Sequence, residues 1–219
     1  MTSLLNSIMI GLNNFPFFAV LLTIPMLLIQ FIHYKKINLV RTGISYVTLL
    51  YALCFMSLVF LPLPTLTDAA KLSTHDIQFI PFHFIADIVR ESSFRLNDIH
   101  TYLPSFFDRA VLQVVFNVLL VIPFGMILRY CFHMNTKKIV LLSFALSLFV
   151  EIAQLTGLFF VFNGSYRLCD IDDLMANTLG GFLGCQIVKS LEAYIPAIEK
   201  FDLIFKAPKA TVSQKLSLR

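Results

Sequence analysis

The sequence predicts an all-α fold: a polytopic integral membrane helix bundle of five transmembrane helices, N-terminus out and C-terminus in. Three observations predict it. Of the 219 residues, 58% are hydrophobic and 14% charged, where a soluble domain carries about 25% charged residues; mean hydropathy is +0.80. The apolar residues fall in blocks, each near the roughly 20 residues that cross a hydrocarbon core of about 30 Å. Lysine and arginine are shared unevenly between the segments that join those blocks, which sets orientation.

Residues 1–14 form an outer segment without Lys or Arg. The apolar run that follows is too long for a signal-peptide core, so an ordinary secretory signal is excluded. Span 1 runs from Phe15 to Tyr34, span 2 from Thr42 to Leu63 and span 3 from Ala110 to Tyr130. Span 4 begins near Ile139 and reaches Phe162 unless Gly157 ends it early. Span 5 runs from Asp173 to about Ile195, which gives a membrane domain over 15–195 and a basic cytoplasmic tail over 196–219.

With this arrangement twelve basic residues lie inside, among them Lys35, Lys36, Arg41, Arg129, Lys137, Lys138, Lys189 and Lys200. Five lie outside: Lys71, Arg90, Arg95, Arg109 and Arg167. The tail's sparse cations mark the inner side of the membrane and give no nucleic-acid surface. The outer loop, 65–108, contains an apolar stretch over 77–85 that is too short to span and is broken by Pro81. It reads as a re-entrant or interfacial element, or as a loop touching lipid headgroups.

Polar side chains in a bilayer-crossing helix are costly, roughly 2.5–3.5 kcal/mol for a central charge. They therefore mark helix contacts or a site. In span 3, Arg109, Gln113 and Asn117 recur every four residues and share a face; Asn117 lies about 12 Å below Arg109. In span 4, Glu151 and Gln154 share a face, with Glu151 about 9 Å below a helix end at Gly157 or about 16 Å below one at Phe162. Arg167, Asp170, Asp172 and Asp173 open span 5, where an acidic first turn also suits the helix dipole. Asp173, Asn177, Gly180, Gly181 and Gly184 continue as a stripe, and the glycines read chiefly as small residues that let two helix backbones approach closely. Asn177 divides evenly between interhelical glue and site.

No nucleophile motif, Gly-rich phosphate loop or zinc-type His/Cys spacing is present, and His75, His83 and His100 are scattered along one loop. No metal or cofactor is expected. Cys54 and Cys185 fall in apolar spans, Cys131 beside a basic loop and Cys169 in an outer loop, so a structural disulfide is not expected either.

These residues also carry a likeness. Glu151-Ile152-Ala153-Gln154, then Arg167-Leu168-Cys169-Asp170-Ile171-Asp172-Asp173, then Asn177-Thr178-Leu179-Gly180 with Gly184, resemble the pattern E-x-x-Q, R-x-F-D-x-D-D, N-T-x-G of the VanZ-like family of bacterial membrane proteins. Phe116-Asn117 with Ile122-Pro123-Phe124-Gly125 is a second match, and Phe79-Ile80-Pro81-Phe82 a weaker third. Cys169 stands where the family has Phe, and Gln78-Phe79 where it has Asn-Leu. The resemblance covers about residues 40–190. It implies a multi-pass protein of the bacterial plasma membrane acting at the cell envelope, and for some members lowered sensitivity to teicoplanin.

Three functions remain open. The first is an outer polar pocket binding an amphiphilic or lipid-linked ligand among the membrane lipids, with Arg109 and Arg167 holding an anionic headgroup. The second is a membrane hydrolase or transferase with Glu151 as general acid or base, and Asp170 with Asp173 holding a divalent cation. The third is structural, the polar set only locking helices together.

Overall fold

The computed structural model describes residues 2–65, 77–91, 100, 105 and 107–203. Lys71, His75, Arg95 and Asp98 of the loop, and Lys206, Lys209, Lys215 and Arg219 of the tail, lie outside them. The described chain is mostly helical: α1 (Thr2–Tyr34), α2 (Leu39–Phe60), α3 (His83–Glu91), α4 (Arg109–Phe132), α5 (Thr136–Leu155) and α6 (Ile171–Leu191). Two short ladders tie the ends. β1 (Ile37–Asn38) pairs antiparallel with β4 (Asp202–Leu203). β2 (Ile77–Gln78) pairs parallel with β3 (Cys169–Asp170).

Four of these helices are long and apolar enough to cross a membrane: Leu5–Tyr34, Leu39–Phe60, Arg109–Phe132 and Thr136–Leu155. α6 is 21 residues long but less apolar, with Asp172 and Asp173 in its first turn. The first helix departs most from expectation. It starts at Thr2, so residues 2–14 are continuous with the first apolar block, and its 33 residues extend about 50 Å. α1 packs on α2, and α4 packs on α6 more extensively than any other pair of described elements.

Each helix boundary has a local cause. Asn38 caps α2 by accepting from the Arg41 N–H, and Asn135 caps α5 by accepting from the Lys138 N–H. α4 ends at His133, which adopts a left-handed conformation. Pro123 sits within α4 without dividing it. α5 stops at Leu155, so the alternative ending at Phe162 is not taken. Gly157, Leu158, Phe159 and Phe160 all have positive φ, making one left-handed turn. The Phe160 N–H closes it on the Thr156 carbonyl and the Phe162 N–H on the Gly157 carbonyl, both at 2.8 Å. For residues with a Cβ that turn costs about 1–2 kcal/mol each. It reverses the chain toward Arg167 and β3.

The core lies where α2, α4 and α5 meet, around Phe55, Val59, Val121, Val150 and Ala153. A second cluster, Leu128, Ile139 and Cys185, joins α4, α5 and α6. Close backbone approach sets the α4–α6 contact. A Cβ added at Gly180 would run into the Val118 carbonyl, one at Gly184 into the Ile122 carbonyl, and one at Gly125 into the Gly181 carbonyl.

Candidate functional site

Helix α4 carries Arg109, Gln113 and Asn117 down one face, and tight packing on α6 brings that face against Asp173. The Asp173 carboxylate accepts from the Asn117 amide and, at 3.4 Å, from the Gln113 amide. One turn further along α6, the Asn177 amide donates to the Ser147 hydroxyl of α5 at 2.9 Å. The three helices are thus tied by side chains at one end of the bundle.

Glu151 stands on α5, one turn from the helix end, and is only 4% exposed. Because α5 stops at Leu155, it lies about 6 Å from that end, shallower than either depth expected from the sequence. Its carboxylate accepts from the Asp170 backbone N–H at 3.1 Å, which fastens β3 to α5. Gln154, also buried, donates to the Val59 carbonyl at 3.0 Å. Arg167 reaches across to the Leu61 carbonyl at 2.9 Å. The two contacts link α5 and the α5–α6 connection, respectively, to the end of α2.

Asp170 caps α6, its carboxylate accepting from the Asp172 N–H at 2.9 Å. Burial, followed by the neighbouring Asp172 charge, holds the Asp170 carboxyl above its ordinary range despite that hydrogen bond. Asp172 is only 5% exposed. It turns toward the start of α3 and accepts from the Phe82 N–H just before the helix at 2.6 Å and from the Phe84 N–H in its first turn at 2.9 Å. Here the dipole explanation offered by the sequence is incomplete. Asp172 is the clasp that holds the Phe79-Ile80-Pro81-Phe82 segment onto α6. Nothing in either motif of the sequence named the pair.

A cavity of about 380 Å³ opens among these elements. Arg109, Gln113, Asn117, Glu151, Gln154, Arg167, Asp173 and Asn177 all line it, together with apolar side chains of α2 including Phe55 and Leu58. Asp170 does not. It lines an adjoining space of about 220 Å³, which shares Arg109, Gln113 and Asp173 with the first and is bordered by Phe84 and Asp87 of α3. Glu151, Asn117 and Arg167 therefore face a common volume, although several of them also have partners of their own. The arrangement is graded: Arg109, Arg167 and Gln113 are exposed at the rim, whereas Glu151 and Gln154 are buried within. Such a cavity offers cations and amide donors to an anionic group, and one protected carboxyl. Gly180 and Gly184 take no part in its lining and sit against α4 backbone. Gly181 faces Ser143, whose hydroxyl occupies the place a Cβ would need.

Sequence reasoning missed three partners: Ser147, the Leu61 carbonyl, and Tyr51, whose hydroxyl donates to the Leu120 carbonyl at 2.8 Å. A serine, a main-chain carbonyl and a single tyrosine carry no pairing signal in an apolar segment. Among the described residues, no group of three or more His, Cys, Asp or Glu side chains is arranged to hold a metal ion.

Comparison with known proteins returns no matching curated protein and no matching solved structure. A family model described as VanZ/LLP1 matches residues 48–192. That stretch runs from within α2 to just beyond α6 and contains every residue that lines the 380 Å³ cavity. Since it covers well over half of the 219 residues, the chain belongs to the VanZ/LLP1 family of proteins.

Proposed function

We propose that this is a multi-pass protein of the bacterial plasma membrane whose 380 Å³ cavity opens to the outer leaflet and binds an amphiphilic, lipid-linked or lipid-bearing ligand. In this reading α6 is the fifth span, the N-terminus is outside, and the residues from 196 onward form a cytoplasmic tail. Binding of such a ligand lowers the cell's sensitivity to teicoplanin, whose acyl chain makes it an amphiphile of the required kind.

One observation carries the reading. Eight polar residues drawn from α4, α5, α6 and the loop before β3 line a single cavity, with apolar side chains of α2 on its other wall. Helix locking alone needs each amide paired with another helix, which Asn117 and Asn177 satisfy. It does not need two arginines at the mouth of a cavity, where guanidinium groups suit a phosphate or carboxylate headgroup.

The test is drug sensitivity in cells carrying the wild-type chain, Arg167→Ala or Glu151→Gln at matched membrane levels. The expected result is a teicoplanin tolerance that both variants lose, with vancomycin sensitivity the same in all strains. Wild-type tolerance in both variants would remove the cavity from the account.

A second reading is favoured by the placement of Glu151, a buried carboxyl lining the same cavity. It makes the protein a hydrolase or transferase of envelope lipids with Glu151 as general acid or base. Turnover of a lipid by the purified protein, lost in Glu151→Gln, separates it from binding alone.

A further inference from the structure

The residues of α3 sort onto three flanks at helical spacing. His83, Asp87 and Arg90 share one, where a hydrogen bond of 3.0 Å joins the His83 ring to the Asp87 carboxylate. Phe84 and Ile88 share the second. Both are half-buried, and Phe84 borders the 220 Å³ space against α4 and α6. Ile85 and Val89 share the third, which is turned from the bundle, 51% and 76% exposed.

Just ahead of the helix, Phe79, Ile80 and Phe82 are each more than half exposed as well. Five large apolar side chains thus stand exposed within residues 79–89. The backbone that carries them is held at both sides. The β2–β3 ladder fixes Ile77 and Gln78, and Asp172 fixes Phe82 and Phe84. A fixed apolar surface of this kind marks a place where something covers it.

What covers it follows from its height on the bundle. Phe84 and Asp87 line one space with Arg109, the first residue of α4, and with Asp172 and Asp173 in the first turn of α6. The 24 residues of α4 make about 36 Å of helix, against a hydrocarbon core of about 30 Å. The first turn of α4 therefore lies at the headgroups, and α3 beside it lies at the same depth. A re-entrant path into the core would take His83, Asp87 and Arg90 into hydrocarbon, where ionisable groups are costly.

We infer that α3 and the segment before it form a membrane-interface anchor. Phe79, Ile80, Phe82, Ile85 and Val89 sit among the upper acyl chains of the adjacent leaflet, while His83 and Arg90 face headgroups and water. The anchor sets the depth at which the neighbouring cavities meet the membrane. It rests on the reading of α4 as a membrane span, and not on the ligand proposed for the 380 Å³ cavity.

The chain has no tryptophan, so a single introduced Trp reports its own surroundings. Full-length Phe79→Trp, Val89→Trp, Arg90→Trp and Leu119→Trp are reconstituted in bilayers of phosphatidylcholine brominated either near the headgroup or near the chain end. Bromine quenches indole emission on contact, and acrylamide quenches it from the water. Phe79→Trp and Val89→Trp should lose most emission to the shallow bromine and little to acrylamide, as a depth of about 5–10 Å requires. Arg90→Trp should lose its emission to acrylamide. Leu119→Trp, near the middle of α4 and exposed on it, should lose its emission to the deep bromine. Phe79→Trp reads the segment and Val89→Trp the helix, so if one fails to insert the other decides. Acrylamide quenching of the patch equal to that of Arg90→Trp would place it in water. Protection from every quencher would place protein over it, a second copy of the chain included, and strongest quenching by the deep bromine would make the segment re-entrant. Each of these overturns the anchor. Leu119→Trp untouched by either bromine would overturn the span and the anchor with it; Leu119→Trp quenched as expected beside an unquenched patch removes the anchor alone.

Discussion

Single residues decide how closely the helices approach and how the site's groups titrate. The glycine stripe shows the first. Gly180 lies against the Val118 carbonyl, whereas Gly43 in α2 has no heavy atom within 4 Å of the place a Cβ would take. Ala at Gly180 gains about 1 kcal/mol of helix propensity but forces a packed interface apart at about 1–3 kcal/mol, so Gly180→Ala should lower the unfolding temperature. Gly43→Ala keeps only the propensity gain and should raise it. Thermal unfolding of both variants in one detergent checks the opposite signs. The stripe was legible in the sequence; which glycine is crowded depends on a neighbouring carbonyl and was not. Cys169 shows the second. Burial first, then the Glu151 charge and a hydrogen bond to it, push its thiol up to about 11. Only the thiolate is nucleophilic, so alkylation should be slow at pH 8 and climb until the pH passes about 11. Glu151→Gln removes the charge contribution, so the climb should come at lower pH, while burial keeps it above an ordinary thiol. Iodoacetamide rates against pH, in a chain whose other three cysteines are replaced, read both profiles. A wild-type rate that levels off by pH 9 would contradict the contact between Glu151 and Cys169.

At the scale of elements, the four long apolar helices were readable because apolar blocks and helix length obey the same hydrocarbon thickness. The end of α5 was readable as one of two alternatives through Gly157. The β2–β3 ladder was not, because it joins Ile77 to Cys169 across more than ninety residues by backbone hydrogen bonds that carry no side-chain signature. Nor was the role of Asp172. It holds the start of α3 by two main-chain N–H groups, those of Phe82 and Phe84, and these would lose their partner in Asp172→Ala. Each part-buried donor left unpaired costs roughly 1–3 kcal/mol, so the expected outcome is local opening with the α4–α6 packing retained. Hydrogen exchange should show faster exchange at Phe82 and Phe84 by one to two orders of magnitude, with amides of α6 beyond Gly180 unchanged. Acceleration spread over the whole of α6 would mean that Asp172 supports the helix itself. α3 borders the smaller of the two adjoining cavities through Phe84 and Asp87, so the same variant changes that wall without touching Glu151 or Asn117.

The whole molecule turns on the standing of α6. Four spans would leave the two termini on the same side of the membrane, and the five proposed above put them on opposite sides. Composition alone favours four, because Asp172, Asp173, Asn177 and the glycines dilute the apolar character of α6. The direction in which those residues point argues the other way. Asp172 is buried against the segment before α3, Asp173 pairs with Asn117, Asn177 pairs with Ser147, and the glycines lie on α4 or face Ser143. The exposed side chains of α6 from Met175 to Ile187 are Met175, Leu179 and Ile187, all apolar, and Lys189 and Ser190 are exposed only in its last turn, beside Leu191. A helix that turns its polar groups inward and its aliphatic groups outward is arranged for lipid around it. At 21 residues it is about 31 Å long, matched to the hydrocarbon core. The prediction is one of parity: a reporter that is active only in the cytoplasm should be active when fused after residue 203 and inactive when fused before Met1. A fusion after Phe162 should be inactive as well, since that point precedes the fifth crossing. Activity at both ends of the chain would return the count to four and move the 380 Å³ cavity from the outer leaflet to a position that no external amphiphile reaches directly.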